Sequence, residues 1–347
     1  MKKLDKNAKT AFLNYGLVVV FFVVVQIMMS AGVMSNSFKG QLIPIISYVI
    51  MALALNLVVG ISGELSLGHA GFMSVGAFTG VIVSATLQES IGSKPLLLVI
   101  SILAGALTAA VAGVVIGIPV LRLGGDYLAI VTLAFGEIIK NIMNCMYVGV
   151  DSKGLHISVM DAGSLGMEVS GKMILNGPMG ATQIKKLSSF IAGIILLLIV
   201  LVIIQNLVES RTGRAIKAIR DNRIAAEASG LNVTKYRLIA FVTSASLAGS
   251  AGVLYALNYS TVAPKKFDFN TSILVLVFVV LGGIGNMTGA MIAAALLTVL
   301  PELLREFQDY RMLVYAIVLI VVMIATNNEK VKAFFTKKEK GEAKANG

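Results

Sequence analysis

The stretch SSFIAGIILLLIVLVIIQNLV at residues 188–208 is followed directly by ESRTGRAIKAIRDNRIAAEASGLNVTKYR at residues 209–237. The first part holds no charged residue in 21 positions, which is the length an α-helix needs to cross a bilayer. The second part carries seven Lys or Arg residues against three acidic ones. Basic segments beside apolar runs are typical of the cytoplasmic side. The stretch therefore predicts a membrane-spanning helix that ends in a basic cytoplasmic loop.

Apolar runs of this kind recur along all 347 residues, which are 57% hydrophobic and 14% charged. Soluble domains average about 25% charged residues, so this chain cannot cover a globular surface with charge. The composition predicts an all-α polytopic integral membrane protein with about ten transmembrane helices. The predicted spans are 11–34, 41–60, 69–87, 95–120, 127–147, 188–208, 237–259, 271–285, 287–304 and 312–326.

The net charge of +11 is concentrated in three short segments that separate or flank the apolar runs. Ten crossings place all three on one side, which the positive-inside rule makes the cytoplasmic side. We therefore expect an uncleaved first helix and a transmembrane domain over 11–326. The flanking and loop segments are a cytoplasmic N-terminal segment at 1–10, a cytoplasmic loop at 209–236, a cytoplasmic tail at 327–347 and an extracytoplasmic segment at 148–187. We expect the last to be irregular with a short helix. This distribution favours a membrane protein over a nucleic-acid binder.

Residues that carry catalytic chemistry are scarce. Cys145 is the single cysteine and the only histidines are His69 and His156, too few soft ligands for a structural zinc site. The sequence contains no phosphate-binding loop of the form G-x-x-x-x-G-K-[ST] and no H-E-x-x-H motif. We expect no metal, no cofactor and no ATPase site of its own in this chain, and an enzymatic role is disfavoured.

The basic segment contains signals for two short helices. Ser210 or Thr212 can cap the first helix, and Gly230 followed by Leu231 is typical of a helix end in the left-handed conformation. Lys217 with Asp221, and Arg223 with Glu227, have the spacing of helical ion pairs. Three alanines predict a smooth surface between these signals, at Ala225, Ala226 and Ala228. Two capped helices in so short a segment indicate a docking element for another protein.

Four stretches together resemble a known family. They are GRAIKAIRDNRIAAEASGLNVTKYRLIAFVTSASLAGSAGVLYA at 213–256, ALNLVVGISGELSLGHAGFMSVGAF at 54–78, GGDYLAIVTLAFGEIIKNI at 124–142 and LGGIGNMTGA at 281–290. They are similar to bacterial branched-chain amino acid ABC transporter permeases of the LivM type, the high-affinity leucine, isoleucine and valine importers. The resemblance covers residues 41–326 and implies the ABC importer permease fold, with about ten helices.

The resemblance also implies partners and a site. The family's coupling helix, which sits in a cleft of an ATP-binding subunit, matches the segment around Ala225–Gly230. The implied coupling residues are Arg223, Ile224, Ala225, Ala226, Glu227, Ala228, Gly230 and Leu231. The implied partners are a second related permease, two ATP-binding subunits that bind the ATP, an extracytoplasmic substrate-binding protein and the lipid bilayer. The implied location is the bacterial cytoplasmic membrane, with both termini in the cytoplasm.

One departure widens the range of substrates. Many relatives have a T-G-G-x-x-G-L-like turn after the fifth span, where this chain has GVDSKGL at 149–155. Related permeases carry urea, short amides or nucleosides, and these stay as alternatives to branched-chain amino acids. An ion-coupled secondary transporter is a further alternative, although it would need no docking element at 209–237. Alternating access driven by ATPase subunits is the mechanism that the resemblance implies.

Candidate residues for the substrate pathway lie in the fifth span. Glu137 stands about ten residues into an apolar run, and an ionisable group there faces a cavity or a partner. Lys140, three residues on, is such a partner and leaves a purely structural role open. Asn141 and Asn144 continue the same helical face. His69 is a fourth pathway candidate, for which solvation at the membrane interface is the alternative.

Overall fold

The structure is a computed structural model that describes residues 2–32, 34–88, 90–121, 126–151, 154–161, 163–167 and 171–303, with Ile317 and Ile320. The chain divides into two compact units, Met1–Ala295 and Leu296–Gly347. In the second unit, the described residues are the last turns of α11 and the two isoleucines. Apart from these two isoleucines, the predicted span 312–326 lies outside the described residues, as does the whole tail 327–347.

The described part of the chain is mainly helical, and its helices follow the apolar runs. They are α1 Lys2–Ser30, α2 Asn36–Asn56, α3 His69–Leu87, α4 Lys94–Val120, α5 Asp126–Cys145, α6 Phe190–Glu209, α7 Arg211–Asp221, α8 Arg223–Ala228, α9 Val233–Ala256, α10 Phe269–Gly282 and α11 Met287–Leu303. Seven helical segments among the described residues are long and apolar enough to cross a membrane. The apolar helices α10 and α11 are shorter, with 14 and 17 residues.

The core of the first unit is formed by α2, α3, α4 and α9, which pack closely through small residues. A Cβ atom on Gly76 of α3 would lie 2.2 Å from the carbonyl oxygen of Gly249 in α9. Small residues let membrane helices approach until their backbones touch. The outer face of α4 instead exposes leucine and valine side chains, including Leu103 and Leu107. α4 therefore packs through glycine on the inside and presents branched apolar side chains on the outside.

The second span contains a break in its α-helical hydrogen bonding. α2 continues into a π-helix at Leu57–Ser62, which ends at Gly63 in the left-handed conformation, with φ of 75°. The loop 63–68 then leads to α3, which starts at His69. Short π-helices are rare overall, but many of those observed lie at functional sites. The turn between α10 and α11 lies against this π-helix, since a Cβ atom on Gly60 would be 2.4 Å from the backbone nitrogen of Gly285.

The segment between α5 and α6 contains a small sheet. β1 Tyr147–Asp151 lies between β2 Gly154–Ser158 and β3 Lys172–Asn176, and both pairs are antiparallel. The expectation of an irregular segment with a short helix is therefore wrong: among its described residues, the helical parts are 3₁₀ turns of three residues. Strands of five residues that pair across gaps carry little periodicity. We call this end of the helices the sheet end, and the end that bears 209–237 the basic end.

Candidate functional site

The first helix of the basic segment, α7, is fixed at its N-terminus and along its inner face. The Ser210 hydroxyl accepts a hydrogen bond from the Gly213 backbone N–H at 3.1 Å, so Ser210 is the capping residue of the two candidates. On the inner side Ile216 and Ile219 are buried. Asp221 pairs with its neighbour Arg220 at 2.8 Å instead of Lys217, so the predicted ion pair with Lys217 is wrong. α7 is thus a capped amphipathic helix packed on the core.

The second helix, α8, begins and ends with side-chain and backbone caps. The Asn222 side-chain oxygen accepts a hydrogen bond from the Ala225 backbone N–H at 3.0 Å. At the other end Gly230, with φ of 83°, donates its N–H to the Glu227 carbonyl at 2.9 Å, and Leu231 donates to the Ala226 carbonyl at 3.1 Å. These two bonds form the Schellman motif. The helix stop predicted at Gly230 is confirmed.

The two faces of α8 differ sharply. Ala226 is buried against Ile219 of α7 and Val233 of α9, with Leu231 packed beside this cluster. The opposite face is open: Ile224 is 80% exposed, and Arg223 pairs with Glu227 at 3.1 Å in the predicted spacing. The prediction of a smooth exposed surface is wrong for Ala226, which holds α8 in place from below. The exposed surface is formed by Arg223, Ile224, Ala225, Glu227, Ala228 and Gly230.

Arg220 connects α7 to the π-helix, a contact that the sequence analysis did not predict. Its Nη1 donates a hydrogen bond to the Gly60 carbonyl at 2.9 Å, across 160 positions of sequence. Beside Gly60, the Gly285 backbone N–H donates to the Asn56 side-chain oxygen at 2.9 Å. Gly60 is therefore enclosed between α7 and the α10–α11 turn. We call Asn56, Gly60, Arg220 and Gly285 the junction.

A second link joins the loop 63–68 to the start of α9. The Nε of Arg237 lies 2.8 Å from Oε1 of Glu64, and both side chains are nearly buried. The contact is an ion pair rather than an aligned hydrogen bond, because the buried Nε has no hydrogen-bond partner. Burial raises the pKa of the Glu64 carboxyl above its ordinary value, and this effect outweighs the opposing influence of Arg237 and Arg223.

The pathway candidates of α5 lie near the start of α10. Glu137 pairs with Lys140, so the partner that the sequence offered is present. The other carboxylate oxygen of Glu137 accepts a hydrogen bond from the Phe269 backbone N–H at 3.3 Å. Asn141 is exposed on this helix and Asn144 is half-buried. The structure therefore shows a structural partner for Glu137, and the pathway role of the three residues stays a prediction.

His69 lies in the core of the first unit at the start of α3. Its side chain has no exposed surface, and its ring nitrogens Nδ1 and Nε2 lie 3.1 Å from the Ser66 hydroxyl and 2.6 Å from the Ser244 hydroxyl. Ser244 in turn donates to the Ala54 carbonyl. These are contacts of a residue that ties α3, α9 and α2 together, and a pathway role for His69 remains untested.

This arrangement of long apolar helices and a capped basic segment defines a multi-pass membrane protein. Residues 37–323 match the family described as the branched-chain amino acid transport system permease component. The chain belongs to this family of transporter permeases.

Named relatives give the same result. The chain is 36% identical over 287 residues to the high-affinity branched-chain amino acid transport system permease protein LivM of Salmonella typhimurium (strain LT2), and 35% identical to LivM of Escherichia coli (strain K12). Each match covers 80% of this chain and 66% of the relative, so the chain spans about two thirds of the length of LivM. The permease protein LivH of Escherichia coli (strain K12) is 32% identical over 117 residues, covering 33% of this chain and 38% of LivH. No solved structure matches the chain significantly.

Proposed function

We propose that this chain is the membrane-spanning permease subunit of a bacterial ATP-binding-cassette importer for leucine, isoleucine and valine. The observation that carries the proposal is α8, a short helix capped at both ends whose outer face is open. Such a face on a fixed base suits insertion into the groove of a second protein. The permease family and the names of the relatives support the transport class and the substrate.

The proposed orientation follows from charge. The basic end, with α7 and α8, faces the cytoplasm, and the sheet end faces outward. In this orientation two ATP-binding subunits meet α8, and a substrate-binding protein delivers the amino acid at the sheet end. The chain itself forms and breaks no bond in the substrate and binds no ATP. The similarity to both LivM and LivH supports pairing with a second, related permease.

In the mechanism that we propose, closure of the two ATPase subunits moves α8 and the helices tied to it. The helices then open a central path alternately outward and inward. The α5 face with Glu137, Asn141 and Asn144 lines this path, because polar side chains in a span need water or a polar partner. The Glu137→Gln variant, which keeps the shape of the side chain without its charge, should lower uptake without lowering the amount of chain in the membrane.

The test is purification of the tagged chain from its native membrane, followed by uptake of radiolabelled leucine into proteoliposomes with ATP at the basic end. We expect two ATP-binding proteins and a second permease to co-purify, and uptake to require ATP and the binding protein. A single chain that transports without ATP would contradict the proposal and identify a secondary carrier.

A further inference from the structure

We propose that Arg220 is a positioning residue that makes α7, the π-helix and the α10–α11 turn move as one body when the docking element is displaced. The inference rests on the proposed function, since it assigns the route by which motion at α8 reaches the membrane helices. The junction provides this route through two side chains, Arg220 and Asn56, and two main-chain groups, the Gly60 carbonyl and the Gly285 N–H.

The first step of the argument is the base of α8. The cluster of Ile219, Ala226 and Val233 packs α8 onto α7 and the start of α9. A force on the exposed face of α8 therefore reaches α7 through buried apolar contacts, which resist deformation because protein interiors are close-packed. Arg220 follows Ile219 directly in the chain and lies in the last turn of α7.

The second step is the contact between Arg220 and the second span. The guanidinium group donates to the Gly60 carbonyl through Nη1 and to the Asp221 carboxylate through Nε and Nη2. The bond with the neighbouring carboxylate fixes the direction of the guanidinium plane, which leaves Nη1 aimed at the π-helix. The stem of the side chain also fills the space beside Gly63, whose added Cβ would lie 2.6 Å from Arg220 Cγ. Arg220 therefore holds the π-helix by a charge-assisted hydrogen bond and by shape.

The third step leads to the α10–α11 turn. A Cβ atom on Gly60 would lie 2.4 Å from the Gly285 nitrogen and 2.3 Å from the Asn56 side-chain oxygen. Main chain therefore packs on main chain at this point, and the Asn56–Gly285 hydrogen bond closes the contact. A displacement of the π-helix cannot be absorbed here by rotation of a side chain, so it moves the turn.

The π-helix is flanked by buried polar groups that have no hydrogen-bond partner. Among the described residues, four buried side-chain polar atoms have no hydrogen-bond partner. Two of them, Asn56 Nδ2 and Ser62 Oγ, stand immediately before the π-helix and at its last residue. Unpaired buried polar groups are costly, and here they lie at both ends of the π-helix.

The first test uses the reconstituted importer and measures leucine uptake and ATP hydrolysis in parallel. Arg220→Met should lower uptake about tenfold or more, as expected for the loss of one charge-assisted hydrogen bond, while hydrolysis changes less than about twofold. Arg220→Lys keeps the positive charge and N–H donors but loses the planar fork, and it should give an intermediate ratio of leucine to ATP. Arg211→Met, at the exposed start of the same helix, is the matched control and should leave the ratio unchanged.

Three results would overturn the assignment. Uptake and hydrolysis could fall together with the yield of the complex, which would indicate a structural role alone. The ratio could stay the same in Arg220→Met, or Arg211→Met could lower it equally. Leucine uptake by the unmodified complex is measured first, so failure of the proposed function is recognised separately.

The second test does not depend on a variant of Arg220. Spin labels at Arg214→Cys and Ile284→Cys, in a Cys145→Ser background, sit at exposed positions on α7 and in the α10–α11 turn. Their separation is measured in the full complex without nucleotide and with ATP bound. We expect one unchanged distance, because both labels belong to one moving body. A shift between the two states would overturn the proposal.

Discussion

The two ends of the helices are joined to the core in different ways. At the basic end, α7 is held by Arg220 on the Gly60 carbonyl and by buried isoleucines, and the outer face of α8 is open. At the sheet end, Ala181 and Val262 exchange backbone hydrogen bonds, and a cavity of about 400 Å³ separates β1 and β3 from the end of α3. A cavity of about 420 Å³ also lies at the basic end, where Lys217, Arg220 and Gly285 are among its lining residues. The comparison teaches that α7 and α8 are joined to the core by a guanidinium hydrogen bond and apolar contacts, whereas the sheet end is joined to it by main-chain hydrogen bonds.

The largest effect should come from the exposed face of α8. Glu227→Arg breaks the pair with Arg223 and places two like charges one helical turn apart on the docking surface. We expect ATP-driven leucine uptake to be abolished, while the amount of chain in the membrane stays normal. Lys265→Glu, a charge reversal at an exposed position of the sheet end, should retain uptake. Normal uptake by Glu227→Arg would contradict the docking role.

A matched pair of glycines compares the two ends directly. Gly230 and Gly180 both have positive φ, so alanine is strained at both, and more at Gly180, whose ψ of −149° lies in a region that glycine alone adopts readily. A Cβ atom at Gly230 meets nothing within 4 Å, whereas at Gly180 it would lie 2.1 Å from the Val262 carbonyl oxygen. We expect Gly180→Ala to lower the thermal denaturation midpoint in detergent more than Gly230→Ala, by a further overpacking cost of about 1–3 kcal/mol. Equal shifts would mean that the backbone around Gly180 rearranges to make room for the added methyl group.

The smallest effect should be a pH dependence of stability at Glu64. Because its folded-state pKa is raised, the folded chain holds this proton more tightly than the unfolded chain. This contribution to stability is complete below the ordinary carboxyl pKa of 4.5 and is lost as pH rises through the raised value. Over this pH range, the thermal denaturation midpoint should depend less on pH in Glu64→Gln than in the control variant Glu209→Gln, whose glutamate is exposed. A denaturation midpoint that rises with pH over this range in the wild type, but not in Glu64→Gln, would contradict the predicted sign.

Most of the helices were predictable because their signals are local. The run 69–87 coincides with α3, and Gly230 ends α8 where the sequence indicated. Hydrophobic runs and caps act within a few residues of one another, so one sequence displays them. The stop at Gly230 needs only its left-handed conformation and the following Leu231.

The remaining features depend on residues far apart in the chain. The Arg220 guanidinium donates to the Gly60 carbonyl, which lies 160 positions away in the sequence. Ala226 is buried because Ile219 and Val233 pack against it. The pairing of β1 with β3 likewise joins segments separated by a long connection. Gly60 and Gly285 were visible as glycines within apolar surroundings, but their close approach is a property of the packed helices. Composition therefore predicts the spans, and packing decides the junction.

Cross-linking from single cysteines would test the central claim most directly, which is that α8 docks on an ATP-binding subunit. In a Cys145→Ser background, Ile224→Cys on α8 and Met160→Cys at the sheet end are both highly exposed. A short bifunctional thiol reagent with a photoreactive arm is applied to native membranes that contain all subunits. The account predicts that Ile224→Cys cross-links to an ATP-binding protein and that Met160→Cys does not. Cross-linking of an ATP-binding protein from Met160→Cys, or none from Ile224→Cys in a complex that contains the ATPases, would contradict it.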